Sequence, residues 1–314
     1  MRVGIVGTSW GRMHIGAFRA AGAEVVALCG GNLEKTRGIA QREGIALATN
    51  DVAALCRDVE LVVVASPDAM HRDHVKSALA LGKHVLCEKP LAMTLDEAND
   101  LATTAEASGR RCAVSFPYRQ LPPLTALRKW LPRVREIDVT LRSSFVTTLE
   151  GSGDFGGMSH VIDAALWLAG GDAESVAAAI SGQSVSINVA LRGGGVLNLV
   201  HRPTVEPGIH GTWSIAGDGF EAGFFAGYQP SLSGWRVSAP RACVEGTWRD
   251  IAPGVDPRAH QREPWAEAHV AAARAFLAGD MSRLASFREG AKVQAVIDAA
   301  SRSHASGRRE RTRA

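Results

Sequence analysis

A chain of 314 residues that is 46% hydrophobic and 21% charged has enough apolar surface for one large or two medium globular domains, which excludes disorder as its main theme. The formal net charge is only +3, and much of that excess sits in the run Gly307-Arg308-Arg309-Glu310-Arg311-Thr312-Arg313, which excludes nucleic acid as the principal ligand and reads as a frayed, solvated tail. The five cysteines, Cys29, Cys56, Cys87, Cys112 and Cys243, are widely spaced with no CxxC pair, and the histidines show no metal spacing, so reduced thiols and no metal are expected. With no run of 18 apolar residues and no secretory leader, the expected setting is the cytoplasm, with no membrane partner.

Residues 2 to 7 form a short apolar run ending in glycine, followed by a helical stretch from Arg12 to Ala21. A second strand over residues 24–29 stops at Gly30-Gly31-Asn32 and yields to a polar helix through Glu43. The run Leu61-Val62-Val63-Val64-Ala65 lacks polar alternation, as a strand covered on both faces requires. A helix from His71 to Leu81, a strand over 84–87, a helix from Leu95 to Ala107 and a strand from Arg111 to Ser115 follow. This alternation predicts a doubly wound parallel sheet over residues 1–118.

After Pro122-Pro123 comes a helix to Trp130, and Glu136 to Thr147 alternates with period two. Further strands are predicted over 175–180, 185–191, 196–201, 212–216 and 235–244, with helices over 160–168, 264–277 and 290–303. Short Gly-rich turns between successive strands predict an α+β domain with a mainly antiparallel open sheet over residues 119–314.

The first strand-to-helix turn reads Gly7-Thr8-Ser9-Trp10-Gly11. In a dinucleotide turn the first glycine permits the bend, the second admits the pyrophosphate and the third lets the helix pack. Gly7 fits the first place, Ser9 stands where the second belongs, and Gly11 falls one residue short of the third. The second strand ends without the carboxylate that would bind a ribose 2′-hydroxyl; Asn32 and Lys35 there favour a 2′-phosphate, hence NADP(H), with NAD(H) as the alternative.

Lys89, in Glu88-Lys89-Pro90, follows an apolar strand at the sheet edge where ligands bind in open α/β folds. Together with the first turn, Ala65-Ser66-Pro67-Asp68-Ala69-Met70-His71 and His160-Val161-Ile162-Asp163, this segment resembles the Gfo/Idh/MocA oxidoreductases, the family of glucose-fructose oxidoreductase and inositol dehydrogenase. The resemblance implies that Lys89 lies near the nicotinamide and the reacting hydroxyl, preceding a cis proline bond, and that Ser66, Pro67, His71, Glu88 and Pro90 belong to the cofactor side. It implies that His160 binds substrate and shares in proton transfer and that Asp163 holds a substrate hydroxyl. Relatives usually carry an aspartate four residues before that histidine; here the position is Gly156, so either Asp154, two residues further upstream, reaches in from a shifted loop or the substrate lacks the group that aspartate recognises.

The chemistry accounts for the lysine: moving hydride to or from a carbon bearing oxygen requires a proton to be taken or delivered, which an ammonium of lowered pKa does near neutrality. Tyr118 and Arg119 at the domain junction are candidates for the substrate cleft or for packing. The expected function is an NAD(P)-dependent oxidoreductase acting on a sugar-like, cyclic polyol or secondary-metabolite small molecule. The alternatives are an inactive dinucleotide-binding sensor and, within the family, imine reduction or redox-neutral elimination. Assembly as a homodimer or homotetramer is expected through the open sheet of the second domain.

Overall fold

The structure is a computed structural model that describes residues 1–144, 157–232, 234–259 and 263–313. The chain forms two compact units, one of residues 1–116 with 266–294 and the other of residues 117–265 with 295–314.

In the first unit, β1 (Arg2–Val6), α1 (Gly11–Ala20), β2 (Glu24–Cys29), α2 (Leu33–Glu43), β3 (Leu47–Thr49), α3 (Val52–Cys56), β4 (Leu61–Val64), α4 (His71–Ala80), β5 (His84–Cys87), α5 (Leu95–Ser108) and β6 (Cys112–Val114) alternate. The strands pair in parallel in the order β3-β2-β1-β4-β5-β6. Every residue of β4 is buried, which is why its sequence lacks alternation. The order reverses between β1 and β4, and in such sheets ligands bind beyond the carboxyl ends of the strands at that switch.

The second unit contains α6 (Pro122–Trp130), β7 (Val134–Ser143), α7 (Met158–Ala169), β8 (Ala173–Ser181), β9 (Ser184–Leu191), β10 (Val196–Pro203), β11 (Ile209–Gly217), β12 (Phe220–Gln229), β13 (Gly234–Val237), β14 (Arg241–Val244) and β15 (Thr247–Asp250). They form an open sheet in the order β15-β14-β12-β11-β7-β10-β9-β8, with β13 also on β12. The sheet is antiparallel except at β7 and β10, which run parallel in its middle. The predicted strand over 235–244 is two strands, because Pro240 cannot continue a ladder.

Helices α8 (Pro264–Ala278) and α9 (Phe287–Ser306) and the short β16 (Glu310–Arg311) complete the chain. Here the division at residue 118 is incomplete: Ala272, Ala273, Ala275, Phe276 and Leu284 pack into the first core with Val3, Ile5, Phe18 and Leu28. Val114 N donates to Ala285 O at 2.8 Å, so the returning segment also covers the edge strand β6. The basic tail departs from the frayed end expected of it. β16 pairs with β8, Arg302 Nη1 reaches Glu310 Oε2 at 2.8 Å, and Thr312 Oγ1 donates to Ala173 O at 2.8 Å. Arg309 also donates to Ser175 O and Asn188 Oδ1, and the backbone gains a sheet edge.

Among the described residues no helix is long and apolar enough to cross a membrane. Cys29, Cys56, Cys87 and Cys112 are buried and Cys243 half-buried, all unpaired. Burial pushes the Cys29 thiol up to about 11 and the Cys112 thiol up to about 12. Since the thiolate is the nucleophile, a raised pKa leaves these thiols protonated at pH 8. Thiol titration of the folded protein at pH 8 is therefore expected to consume Cys243 first, with the other four reacting only on denaturation; rapid reaction of Cys29 or Cys112 in the native state would contradict the burial.

Candidate active site

Three loops end at the carboxyl edge of the first sheet, and the first is the glycine turn. Gly7 has φ of 122°, and a Cβ there would run into the Ala65 carbonyl oxygen, so no other residue fits without moving backbone. A Cβ on Gly11 would lie 2.9 Å from Ile5 Cγ2. Gly11 thus lets α1 pack on β1 despite its irregular spacing. Gly30, which sequence reasoning left out of the site, is crowded between Thr8 Cγ2 and Thr36 Oγ1, each 2.6 Å from where its Cβ would stand.

Helix α1 starts at Trp10 with no side-chain cap and no acidic residue in its first turn. Helices α2, α3 and α5 are instead capped by Asn32, Asp51 and Thr94. The positive end of α1, free of a side-chain cap and of acidic residues, fits a pyrophosphate, with Thr8 half-buried and Ser9 and Trp10 exposed beside it. Trp10 is 58% exposed, large for an indole and in keeping with a side chain that covers a ligand. Asn32 caps α2: its Oδ1 accepts the Lys35 N–H at 2.8 Å, a bond that uses the acceptor of the amide and not its Nδ2 donor, and Lys35 is exposed beside it.

The second loop follows β4. Ser66 is half-buried, and its Oγ lies 2.9 Å from His74 Nδ1. Burial first and His71 second lower the His74 pKa, so its ring is neutral near pH 7. Pro67 is exposed, whereas His71 is fully buried, with Nδ1 at 2.7 Å from Pro90 O and Nε2 at 2.9 Å from Ser66 O. The ring of His71 therefore joins two loops, in place of the direct cofactor contact expected of it.

The third loop carries the lysine. The Lys89–Pro90 bond is cis, as the resemblance implied, and Lys89 is half-buried. Glu88 turns inward: Oε1 accepts from His14 Nε2 at 2.7 Å, and Oε2 accepts the Lys89 backbone N–H at 3.2 Å. Burial drives its pKa up, but the His14 hydrogen bond and the charges of His14, His269 and Lys89 outweigh it and hold the carboxyl well below its ordinary range. Expected on the cofactor side, the Glu88 carboxylate belongs instead to a buried cluster with His14 and His269. Sequence reasoning missed both histidines, which come from opposite ends of the chain.

In the second unit, Arg119 Nε and Nη2 bind Asp163 Oδ2 and Oδ1 at 3.0 and 2.6 Å. Both side chains are almost wholly buried, 6% and 1% exposed, and the guanidinium lies over Trp167 at 5.9 Å. The Asp163 carboxylate thus serves a bidentate ion pair, not the open hydroxyl-binding position implied for it. His160 on α7 is half-buried, with its ring edge-on to Tyr118 at 6.3 Å and to Trp265 at 5.4 Å. Tyr118 is buried in an aromatic cluster with Trp213, Trp235 and Trp265, the last two stacked at 4.4 Å, and burial raises its hydroxyl pKa. These partners all belong to the second unit, so the cluster is not the interdomain packing expected as one of its two roles. Asp154 and Gly156 lie outside the described residues.

Residues 1–116 match the model of the oxidoreductase family GFO_IDH_MocA, NAD-binding Rossmann fold. The 1,5-anhydro-D-fructose reductase of Ensifer adhaerens is 38% identical over 116 residues, 36% of this chain and 35% of that protein. The inositol 2-dehydrogenase of Rubrobacter xylanophilus is 36% identical over 132 residues, 40% of this chain and 38% of that protein. Both matches span well under half of the relatives' length. A levoglucosan dehydrogenase solved in complex with NADH and levoglucosan has the same fold over 100% of both chains, with a TM-score of 0.83 at 20% identity. Residues 1–116 are thus similar to the NAD-binding Rossmann domain of the Gfo/Idh/MocA oxidoreductases, and the solved structures extend the likeness of fold to the whole chain.

Proposed function

We propose that the protein is a nicotinamide-dependent dehydrogenase or reductase of a sugar or cyclic polyol, with Lys89 as its general acid/base. The observation that carries this reading is the placement of Lys89 beyond β5, at the same sheet edge as the uncapped start of α1. Bound nicotinamide would supply the hydride acceptor or donor. Gly7, Thr8, Ser9, Gly11 and the first turn of α1 would hold its pyrophosphate, and Lys89 would take or return the hydroxyl proton. His160, in the second unit, is the second candidate for proton transfer. The sugar or polyol class rests on the reductase and the dehydrogenases similar to this chain. Assembly as a homodimer or homotetramer through the second sheet belongs to the same reading.

NADP(H) is the favoured cofactor, because β2 ends at Gly30-Gly31 without a carboxylate and Lys35 is exposed beyond it. In fluorescence titrations NADPH is expected to bind roughly tenfold more tightly than NADH, the worth of one charge-assisted contact, and Lys35→Ala should remove the difference. Equal or tighter NADH binding would reverse the preference. Failure of both nucleotides to bind would end the oxidoreductase reading.

A further inference from the structure

Glu88 is a buried acidic residue, 8% exposed, and its two carboxylate oxygens have different duties. Oε1 faces His14 Nε2 at 2.7 Å; an ionised carboxylate only accepts, so Nε2 carries the proton. Oε2 takes the backbone N–H of the next residue, Lys89, at 3.2 Å. On the other side of the lysine, Pro90 O meets His71 Nδ1 at 2.7 Å. The backbone that carries Lys89 is therefore gripped before and after the residue.

The origin of each grip matters. His14 lies on α1, the helix opened by the glycine turn, and His71 begins α4 and also binds the carbonyl of Ser66 in the loop after β4. His269, 4% exposed, comes from the returning segment and stands edge-on to His14 at 5.5 Å. The three loops at the ligand-binding edge are thus joined through buried side chains. Carboxylate and imidazole groups are costly to bury unless hydrogen-bonded, so four such side chains in one packed region mark a device and not filler.

Two imidazoles and a carboxylate are also a zinc donor set, and the ligating atoms of His14, Glu88 and His269 lie within 4.8 Å of one another. The 2.7 Å between Nε2 and Oε1 is a hydrogen bond, however. Two ligands on a tetrahedral zinc with bonds of about 2.0–2.1 Å stand about 3.3 Å apart. The cluster is built around a shared proton.

We propose that Glu88, held by His14 and His269, is the positioning residue for Lys89, and that His14 thereby couples the cofactor turn to the geometry of the acid/base amine. This rests on the reading of Lys89 as the acid/base, but its test does not. Bonds of this kind set a functional amine to within about 0.5 Å, the tolerance such chemistry demands. None of the four positioning side chains needs to touch cofactor or substrate.

The test is competitive acetylation of the whole protein from pH 6 to 10, with each lysine quantified by mass spectrometry, in the wild type, His14→Leu, His14→Gln and Glu88→Gln. Glutamine at 14 can still donate to Glu88; leucine cannot. The Lys89 rate profile is expected to shift roughly tenfold in His14→Leu and Glu88→Gln, the scale of one charge-assisted hydrogen bond. Lys35, Lys76 and Lys129 should stay unchanged as internal controls, and His14→Gln should recover most of the wild-type profile. An unchanged Lys89 profile in folded Glu88→Gln overturns the proposal, as does one equivalent of tightly held zinc in the purified protein. Because acetylation needs neither cofactor nor substrate, a null nucleotide titration would end the oxidoreductase reading and leave this result standing.

Discussion

Asp163→Ala is expected to lower the unfolding free energy by about 3–5 kcal/mol, the cost of leaving one partner of a buried ion pair uncompensated. The Arg119 guanidinium keeps 6% of its surface and gives two parallel hydrogen bonds to the carboxylate. Without that carboxylate a charge stays in the core with no water to replace its partner. Equilibrium urea unfolding followed by tryptophan fluorescence reports the loss directly, since Trp167 lies against the guanidinium. The double variant Arg119→Met, Asp163→Leu removes both charges and should recover much of the stability, because a buried pair replaced by apolar groups of similar volume is often close to neutral. A single-variant loss below about 1 kcal/mol would mean that water reaches the pair.

Lys89→Met is expected to lower kcat by about 10²–10⁴, the usual contribution of a positioned acid/base, while nucleotide affinity stays within about twofold. Methionine keeps the length and apolar stem but carries no proton. Lys89→Arg separates the two services a cation offers, because arginine keeps the charge but does not release a proton near neutral pH. It should be nearly as inactive as Lys89→Met. The measurement is NAD(P)H absorbance in steady-state assays over a panel of sugars, cyclic polyols and their ketones. Full activity in Lys89→Arg would make the lysine an electrostatic anchor and move the proton transfer elsewhere.

Much of the first unit is legible in one dimension because parallel strands covered on both faces read as continuous apolar runs, as 61–65 does. Short elements escape that logic: β3 is three half-buried residues, too few to show a period. In the second unit β12 is hidden by its own composition. Phe220, Ala222, Phe224 and Ala226 alternate inward, but Gly223 and Gly227 interrupt the pattern. A Cβ on Gly227 would strike the Ile209 carbonyl, so the glycine is required by a close neighbouring strand that no local window reveals.

The site divides along the same line. The placement of Gly7 and Lys89 is readable because each stands directly next to a strand. What the sequence hides is which polar groups satisfy one another: Asn32 caps its own helix, Arg119 takes the Asp163 carboxylate, and Glu88 turns to His14. Ion pairs and hydrogen bonds between residues far apart in the chain carry no periodic signal, and a resemblance carries residue types without telling which partner each has chosen.

The return of residues 266–294 to the first unit has a consequence for synthesis on the ribosome. Residues 1–116 emerge early, but the helix bearing Phe276, fully buried in their core, is among the last segments made. Until then the nascent sheet shows an apolar face and the open edge of β6, surfaces that invite chaperones and aggregation alike. The first half of this protein, translated first, stays incomplete until residues 266–294 emerge.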